Sequence, residues 1–113
     1  MTQHDDTVSL RHMLDHAQEV LSMASGKQRR DLEDDRMLEL ALVRLIEIIG
    51  EAAGRVSLED QRKYSSIPWP QIIGMRNRLI HGYDQVDLNL LWDTIEIDLP
   101  PLISELENIL DPK

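Results

Sequence analysis

The sequence predicts an all-α protein: an antiparallel bundle of four main helices, with a short extra helix and a proline-kinked C-terminal helix. Apolar residues recur every three or four positions along four long segments, which is the spacing of one buried helix face. The connections between these segments are short and carry glycine, proline and helix-capping residues. Because 113 residues leave no room for a second hydrophobic core, residues 1–113 are expected to form a single domain.

The composition excludes several kinds of site and location. The chain contains no cysteine, which rules out disulfides, thiolate metal sites and cysteine nucleophiles. The segment Met1–Asp6 lacks the basic and apolar regions of a secretory signal, and no apolar run approaches the roughly 20 residues that span a bilayer. A soluble cytoplasmic protein without membrane contact is therefore expected. The net charge of −9 argues against general nucleic-acid binding, so any action on RNA requires a local basic site.

The first helix is expected to begin after Thr7 or Ser9, as its cap, and to end near Ser25, where Gly26 stops it. The basic turn that follows, Lys27–Arg30, is interpreted as a solvated loop whose cations complement the helix dipole. The alternative is that these cations guide RNA, in which case their removal should flatten the salt dependence of any action on RNA.

Two histidines of the first helix, His12 and His16, lie one helical turn apart with Asp15 between them. This spacing is compatible with metal binding, but two histidines fall short of the four ligands of a structural zinc site. The Glu-x-x-His pattern of dimetal bundles is also missing from the sequence. The expectation is two solvent-facing histidines and no metal.

The second helix is expected to be the longest, from about Asp31 to Val56, with two different faces. The apolar arc that should face the core comprises Leu38, Ala41, Leu42, Leu45, Ile48, Ile49, Ala52 and Val56. The opposite side carries a charged stripe of Arg44, Glu47, Glu51 and Arg55, beside a shallow groove at Val43, Gly50 and Gly54. Each helical glycine costs about 1 kcal/mol relative to alanine, so a second helix, from this chain or a symmetry mate, is expected to approach closely there. Alternatively, the stripe forms only ion pairs within its own helix.

A short helix is expected after Ser57, which caps it, to about Tyr64. Trp69, in the loop that follows, is expected to be a structural anchor. Surfaces that stack on RNA bases usually present several aromatic residues, and this chain has only four Trp and Tyr residues and no Phe.

The third long helix is expected from about Pro70 to His81 or Gly82, and a final helix over Leu88–Leu110. Asp87 is the expected cap of that final helix. The prolines of Leu99–Pro101 should kink it or split it, because proline cannot donate a backbone hydrogen bond.

The segment Arg76–Tyr83 concentrates the reactive side chains of the protein: two guanidinium groups, a carboxamide, an imidazole and a phenol. On an ideal helix, Arg76 emerges from the middle of the apolar face. Asn77, Arg78 and His81 fall together on the polar face.

A buried arginine is costly without an anionic partner, so Arg76 is expected to meet Glu47, Glu51 or a bound phosphate. Gly82 can end the helix, which would let Tyr83 and the loop after it turn back towards the site.

These side chains permit cleavage of a phosphodiester without a metal. His81 can take a proton from a ribose 2′-OH or give one to a leaving 5′-oxygen, because histidine titrates near neutral pH. Arg76 can bind the non-bridging oxygens in a bidentate manner and stabilise the charge that develops on them. A single histidine is one group short of a separate acid and base, which indicates either a modest enzyme or a site completed by a second subunit.

The order Arg76, four residues, His81, one residue, Tyr83 resembles the motif of the HepT branch of the HEPN superfamily. In that branch, four to six residues separate the Arg from a His-x-Tyr sequence, and Asn, Asp or His often follows the Arg directly, as Asn77 does here. The flanking segments 45–53, 67–77 and 86–100 are also similar to this branch, so the resemblance covers most of the chain.

The resemblance implies a homodimeric toxin of a type VII-like toxin–antitoxin system, which cleaves RNA, with no DNA expected, and needs neither metal nor other cofactor. Arg76 and His81 would be the catalytic pair, with Asn77 and Arg78 in support. The two motifs of the dimer would face each other across the subunit interface. The antitoxin would be a minimal nucleotidyltransferase that transfers AMP from ATP to Tyr83, and the adduct would occupy the phosphate site.

One alternative belongs to a different functional class. The protein could be a non-catalytic helical module that pairs with a nucleotidyltransferase or binds a nucleotide, with Arg76 and His81 only holding a phosphate. The two functions differ in what His81→Ala does: it abolishes RNA cleavage in the first, and weakens partner or nucleotide binding while RNA stays intact in the second.

Overall fold

The computed structural model describes residues 5–83 and 85–112, which form an all-α helical bundle with one small sheet. The helices are α1 (Asp6–Ala24), α2 (Asp31–Asp34), α3 (Arg36–Gly54), α4 (Leu58–Lys63), α5 (Trp69–Ile73), α6 (Met75–Leu79), α7 (Leu88–Asp93) and α8 (Leu99–Leu110). A π-helical segment, Thr94–Asp98, joins α7 to α8, and the strands β1 (Ile80–His81) and β2 (Gln85–Val86) pair antiparallel. The predicted fold class is confirmed. No helix in the described ranges combines the length and apolar character that a membrane crossing requires.

α1 begins earlier than expected because Asp5, rather than Thr7 or Ser9, caps it. The Asp5 carboxylate accepts a hydrogen bond from the Thr7 backbone N–H at 3.0 Å, which satisfies one of the free donors of the first turn. Gly26 ends the helix as predicted, with a φ of +76° that favours glycine. The first four residues, part of the segment inspected for a secretory signal, lie outside the described residues.

The prediction of one continuous helix from Asp31 to Val56 was wrong. Asp35 adopts an extended conformation (φ −126°, ψ 90°) that separates α2 from α3. Its carboxylate accepts a hydrogen bond from the Leu38 backbone N–H at 3.0 Å and so caps α3. Short acidic side chains compete in this way with helical hydrogen bonding, which the spacing of apolar residues does not reveal. α3 then ends at Gly54.

α3 is the central helix, because it packs against α1 on one side and against α5 and α6 on the other. Leu42, Ile46 and Ile49 are fully buried along it. Ile46 lay outside the predicted core arc, whereas Ala41 and Ile48 of that arc are only half-buried. The core face is therefore rotated towards α5 and α6, which cover the side of α3 where a groove for a second helix was expected.

Gly50 is a position where α5 approaches α3 closely. A Cβ atom at Gly50 would lie 3.0 Å from the carbonyl oxygen of Ile73 and 3.2 Å from that of Ile72, tighter than ordinary van der Waals contact. The expected close approach of a second helix is thus confirmed at Gly50, and the helix comes from the same chain. Gly54 has open space in the direction of its missing Cβ.

The loop before α5 is held by hydrogen bonds that the sequence indicated. Ser57 caps α4, because its hydroxyl oxygen accepts a hydrogen bond from the Asp60 N–H at 3.1 Å. Trp69 is buried, and its indole N–H donates to the Tyr64 carbonyl oxygen at 3.1 Å. Its expected role as a structural anchor is confirmed.

The third long helix is shorter than predicted and is interrupted. Gly74 separates α5 from α6, and α6 ends at Leu79. Ile80 is already extended (φ −100°, ψ 124°) and pairs with Val86 across the small sheet. Gly82, with a φ of +72°, reverses the chain between the strands. The expected helix to His81 or Gly82 was therefore wrong, because strand pairing with residues further along the chain takes over after Leu79.

The C-terminal segment is interrupted where the sequence predicted it. Asp87 caps α7 by accepting a hydrogen bond from the Leu90 N–H at 3.0 Å. Just before the two prolines, the Leu99 N–H donates to the Thr94 carbonyl oxygen, five residues back, which is the hydrogen bond of a π-helix. Pro100 and Pro101 have no N–H to donate to the preceding turn, so the regular pattern fails there.

The contact at Gly50 predicts opposite effects for two glycine substitutions in one helix. Gly50→Ala should lower the free energy of unfolding by about 1–3 kcal/mol, because the new methyl group meets backbone carbonyls that cannot rotate away. Gly54→Ala should raise it by up to about 1 kcal/mol, because it removes a flexible residue from a helix without a clash. Urea unfolding of both variants is the measurement, and equal effects would contradict the described approach of α5.

The cap at Asp87 predicts a pH-dependent contribution to stability. The backbone N–H of Leu90, followed by that of Asn89, holds the pKa of the Asp87 carboxyl below its usual value. A carboxyl whose pKa is lower in the folded than in the unfolded state stabilises the fold above the unfolded pKa, near 3.9, and loses this effect as the pH falls through the folded value. Asp87→Asn should therefore lower the melting temperature at pH 7, and the gap should close below about pH 4.

The matched control for this experiment is Asp93→Asn, which removes the same charge from an exposed position at the end of α7. The difference in melting temperature between the Asp93→Asn protein and the parent should not increase as the pH rises from 3 to 7. A melting temperature of Asp87→Asn that tracks the parent protein from pH 3 to pH 7 would refute the capping argument.

Candidate active site

Two buried side chains of α6 hold the candidate site against the core. Met75 and Leu79 are fully buried and lie four residues apart, on the same face of the helix. Arg76, Asn77 and Arg78 between them are exposed. α6 therefore presents three consecutive polar side chains to the outside while its apolar face packs on α3 and α7.

Arg76 is paired with a carboxylate of α3. Its Nε lies 3.4 Å from Glu47 Oε2, and its Nη1 donates to the amide oxygen of Asn77 at 3.4 Å. Glu47 was one of the two partners expected from the sequence, and this pairing is confirmed. The expectation that Arg76 emerges from a buried face was wrong, because 46% of its side chain is exposed. The break at Gly74 ends the regular helical spacing on which that placement depended.

Glu47 links Arg76 to the charged stripe of α3. Its other oxygen, Oε1, lies 2.6 Å from Arg44 Nη1, and the same Arg44 atom lies 3.9 Å from a carboxylate oxygen of Glu51. Arg44, Glu47 and Glu51 of the stripe thus form ion pairs within α3, and Glu47 also pairs with Arg76 of α6. Arg55 follows α3 and takes part in none of these pairs. A groove of about 340 Å³ runs beside these groups, and its lining includes Glu47, Gly50, Glu51, Gly54, Arg76 and Asn77.

Arg78 faces a different part of the molecule. Its Nη2 lies 3.3 Å from Asp98 Oδ2, in the π-helical segment before α8. Arg76 and Arg78 are therefore held by carboxylates of different elements. The polar face that Arg78, Asn77 and His81 were expected to share on one helix is not formed, because His81 lies on β1 rather than on α6.

His81 is accessible and faces the cap of α7. Its Nε2 lies 3.6 Å from Asp87 Oδ2, which is an ion pair when the imidazole is protonated, and 60% of its side chain is exposed. The N–H groups of Leu90 and Asn89 lower the pKa of Asp87, and His81 lowers it further. Asp87 is thus an ionised carboxylate that can orient the imidazole. The sequence identified Asp87 only as a helix cap, since nothing in its spacing indicates that the hairpin brings it to His81.

Tyr83 lies at the reversal between the two strands and is 96% exposed. The reversal at Gly82 was expected, with a φ of +72° in the structure. The phenol projects into solvent instead of packing back on the site, so it is the most exposed of the large hydrophobic side chains described.

The structure brings some of the candidate residues together and keeps others apart. Arg76, Asn77 and Glu47 form one group on α6 and α3. His81 and Asp87 form another on the hairpin and the start of α7. Within residues 5–83 and 85–112, neither a hydrogen bond nor an ion pair joins Arg76 to His81. A single chain therefore offers the guanidinium and the imidazole on two separately held groups.

Two other sequence features lie outside these groups. His16 donates a hydrogen bond from Nδ1 to the His12 carbonyl oxygen at 2.8 Å, and the described residues contain no cluster of three histidine or acidic side chains that could hold a metal ion. In the basic turn, Arg29 bonds to Asn89 of α7 and forms an ion pair with Glu33 at 2.8 Å. Arg29 is thus tied to the helix that Asp87 caps.

The arrangement can bind and polarise a phosphate. Glu47 pairs with Nε of Arg76 and Asn77 accepts from Nη1, so the N–H groups of Nη2 can donate to an anion in the groove. The imidazole of His81 is exposed and can exchange a proton with a ligand. These are the electrostatic and acid–base functions that phosphodiester cleavage requires.

Comparison with known proteins extends these observations. The family model described as Ribonuclease HepT-like matches residues 13–109. A protein named "Putative RNase" from Caldanaerobacter subterraneus subsp. tengcongensis is 37% identical over 101 residues, which cover 89% of this chain and 90% of that protein. Another with that name, from Methanocaldococcus jannaschii, is 31% identical over 107 residues, 95% of this chain and 98% of that protein.

A "Probable ribonuclease HepT" from Thermococcus cleftensis is 37% identical over 75 residues, which cover 66% of this chain and 68% of that protein. The solved structures provide no significant match. The family model covers most of the chain, and two relatives above 30% identity align with nearly all of it. The chain therefore belongs to the HepT-like ribonuclease family.

Proposed function

We propose that this protein is a metal-independent endoribonuclease, the toxin of a type VII-like toxin–antitoxin system, in which Arg76 and His81 are the catalytic residues. Membership of the HepT-like ribonuclease family carries the proposal. The accessible guanidinium of Arg76 and imidazole of His81 support it, because both can reach an RNA strand without a change of fold.

The proposed reaction uses a ribose hydroxyl of the RNA as the nucleophile. His81 takes the proton of the 2′-OH, the 2′-oxygen forms a bond to the adjacent phosphorus, and the bond to the 5′-oxygen breaks. The leaving 5′-oxygen needs a proton from a second group. Arg76 donates to the non-bridging oxygens as their negative charge grows, while Asn77 and Arg78 act as supporting polar residues.

Glu47 and Asp87 are positioning residues in this proposal. Glu47 holds the guanidinium of Arg76 from α3, and Asp87 holds the imidazole of His81 from the start of α7. Both carboxylates act through their partners and do not touch the RNA. Residues 1–113 are proposed to work as one domain.

We further propose a homodimer in which the two motifs face each other across the subunit interface. Arg76 and His81 belong to separate groups within one chain, so a partner subunit would supply the second acid or base and a second guanidinium. The groove at Gly54 beside Arg76 is open, which leaves room for a neighbouring chain or for the substrate.

Control of the toxin is proposed to act at Tyr83. A minimal nucleotidyltransferase antitoxin would transfer AMP from ATP to the phenol oxygen: the oxygen bonds to the α-phosphorus, pyrophosphate leaves, and the phenol proton goes to solvent. The exposure of Tyr83 supports access by such an enzyme. The added phosphate would compete with RNA for Arg76 and His81. The cytoplasmic location stays a prediction from the sequence.

The catalytic assignment predicts the effect of two substitutions. Arg76→Ala and His81→Ala should each reduce cleavage by about 10²–10⁴-fold, because each removes an acid–base or charge-stabilising group of the transition state. Both should also abolish the growth arrest and RNA loss produced when the chain alone is expressed in bacteria. Cleavage should be insensitive to EDTA. The measurements are growth, total RNA integrity, and the rate of RNA cleavage by purified protein.

Arg62→Ala is the matched control, because Arg62 is an exposed arginine of α4, away from the site. It should cleave RNA like the parent. Mixing the Arg76→Ala and His81→Ala proteins should restore part of the activity if the site is shared between subunits. Intact RNA with the parent protein, together with tight binding of a nucleotidyltransferase that His81→Ala weakens, would instead favour a non-catalytic binding module.

The proposed control predicts a specific loss on Tyr83→Phe. This variant keeps the aromatic ring but has no phenol oxygen, so it should cleave RNA yet accept no AMP from ATP in the presence of the antitoxin. Intact-mass spectrometry after incubation with ATP and the purified nucleotidyltransferase is the measurement. AMP bound to the Tyr83→Phe protein at the level of the parent would rule out Tyr83 as the acceptor.

A further inference from the structure

A second groove lies on the other side of the charged stripe, between α1 and α3. Its volume is about 400 Å³. The charged and imidazole side chains of its lining are His12 and His16 from α1, Arg44 and Glu51 from α3, and Arg55, the residue that follows α3. No step of the proposed reaction uses this groove. It is open to solvent, and its lining combines two histidines and two arginines with one carboxylate.

The cations of this groove are available to a ligand. In the described part of the chain, no hydrogen bond or ion pair engages the guanidinium of Arg55, which is exposed. Arg44 is shared between Glu47 and Glu51, so some of its N–H groups are free. His16 uses Nδ1 to donate to the His12 carbonyl oxygen, so the Nε2 of its neutral ring is an acceptor that suits a ribose hydroxyl and not a phosphate oxygen. The groove can therefore hold an anion through several donors.

Most of the excess negative charge of the protein lies in the C-terminal part of the sequence, away from the residues of this groove. Eight of the 21 acidic residues, and none of the 12 lysines and arginines, lie between Leu79 and Pro112. The remainder of the chain is close to neutral, although the whole chain has a net charge of −9. Six of these eight carboxylates lie between the start of α7 and Asp111, so this segment repels a polyanion. The groove of α1 and α3 belongs to the part of the chain that is close to neutral.

Ion pairs connect this groove to the candidate active site. Arg44 contacts Glu47 at 2.6 Å, and Glu47 contacts Arg76 at 3.4 Å. Glu51 lines both the groove of Arg76 and the groove of the two histidines, so the two grooves meet across α3. From Arg44 to its end at Gly54, α3 rises roughly 15 Å, and Arg55 follows directly, so the distance is long enough for more than one phosphate. A strand with one phosphate at Arg76 can continue across α3 into the second groove.

We propose that the groove formed by His12, His16, Arg44 and Arg55 binds RNA phosphates that flank the cleaved bond. This inference rests on the proposed function, because it assigns a path to the RNA substrate of that site. Arg55 donates to one phosphate, and Arg44 exchanges part of its pairing with Glu47 and Glu51 for another. His12 completes the wall as a hydrogen-bond donor, and His16 completes it as an acceptor for a ribose hydroxyl. The groove positions the strand and takes no part in bond breaking.

The test measures binding in a protein that cannot cleave. The full chain with His81→Ala is titrated into a fluorescein-labelled single-stranded RNA of about 12 nucleotides, a length within the range of single-strand sites, over a series of salt concentrations. Adding Arg55→Ala should weaken binding about tenfold, the loss of one charge-assisted hydrogen bond. It should also reduce the slope of log affinity against log salt by about 0.7, the value for one phosphate contact on a single strand. Adding His12→Ala should weaken binding a few-fold.

The matched control is Arg62→Ala in the same His81→Ala background, which removes one exposed arginine outside the groove. Its affinity and salt slope should stay within about twofold of the parent. In the protein with His81 intact, Arg55→Ala should raise KM for RNA and leave kcat unchanged. The reason is that it weakens binding of the substrate and of the transition state equally. A melting curve like that of the parent shows that each variant is folded.

Each outcome separates the inference from the proposed function. If Arg55→Ala and Arg62→Ala bind RNA equally well, the groove is not part of the RNA path, even where the parent chain cleaves RNA and the proposed function stands. If Arg55→Ala lowers kcat and leaves KM unchanged, the positioning role is also refuted. If the folded His81→Ala protein binds no RNA although the parent cleaves it, the inference fails and the proposed function stands. If the parent neither binds nor cleaves RNA while it stays folded, both fail.

Discussion

The close contact between Gly50 and the carbonyl end of α5 determines where the candidate site can form. A methyl group at position 50 would lie 3.0 Å from the Ile73 carbonyl oxygen, so glycine lets α5 pack this close to α3 without a shift of its backbone. Because α5 leads through Gly74 directly into α6, this contact also sets the distance of Arg76 from α3. The ion pair of Arg76 with Glu47 at 3.4 Å depends on that approach. Glycine lowers the stability of α3 relative to alanine, and the close approach that it permits brings Arg76 to the carboxylate of Glu47.

The second part of the candidate site depends on backbone geometry rather than on a helix face. Gly82 adopts a left-handed conformation that a side chain would disfavour, and the short hairpin returns the chain to Asp87. This places the imidazole of His81 beside a carboxylate whose position is fixed by its role as a helix cap. The same reversal leaves Tyr83 in solvent. The turn at Gly82 therefore places the imidazole of His81 beside Asp87 and leaves the phenol of Tyr83 exposed.

The distribution of charge reconciles an acidic protein with a polyanionic substrate. The segment from the hairpin to the end of α8 carries acidic residues without a lysine or arginine, while the cations of α3 and α6 face two adjoining grooves. Carboxylates such as Glu47 hold arginine side chains in place and leave some of their N–H groups free to donate to an anion. The net charge of a chain therefore says little about the local potential at a site.

The sequence by itself determined the all-α fold class, the resemblance to the family, the caps at Ser57 and Asp87, and the interruption at the prolines. These features depend on local spacing and local hydrogen bonds, which neighbouring residues specify. It also named Glu47 as one of two possible partners of Arg76. The breaks at Asp35 and Gly74, the strand at His81 and the pairing of His81 with Asp87 were decided only by the tertiary structure. Each of these features depends on contacts between helices or on a chain reversal. The spacing of apolar residues along one segment does not show where such contacts interrupt a helix.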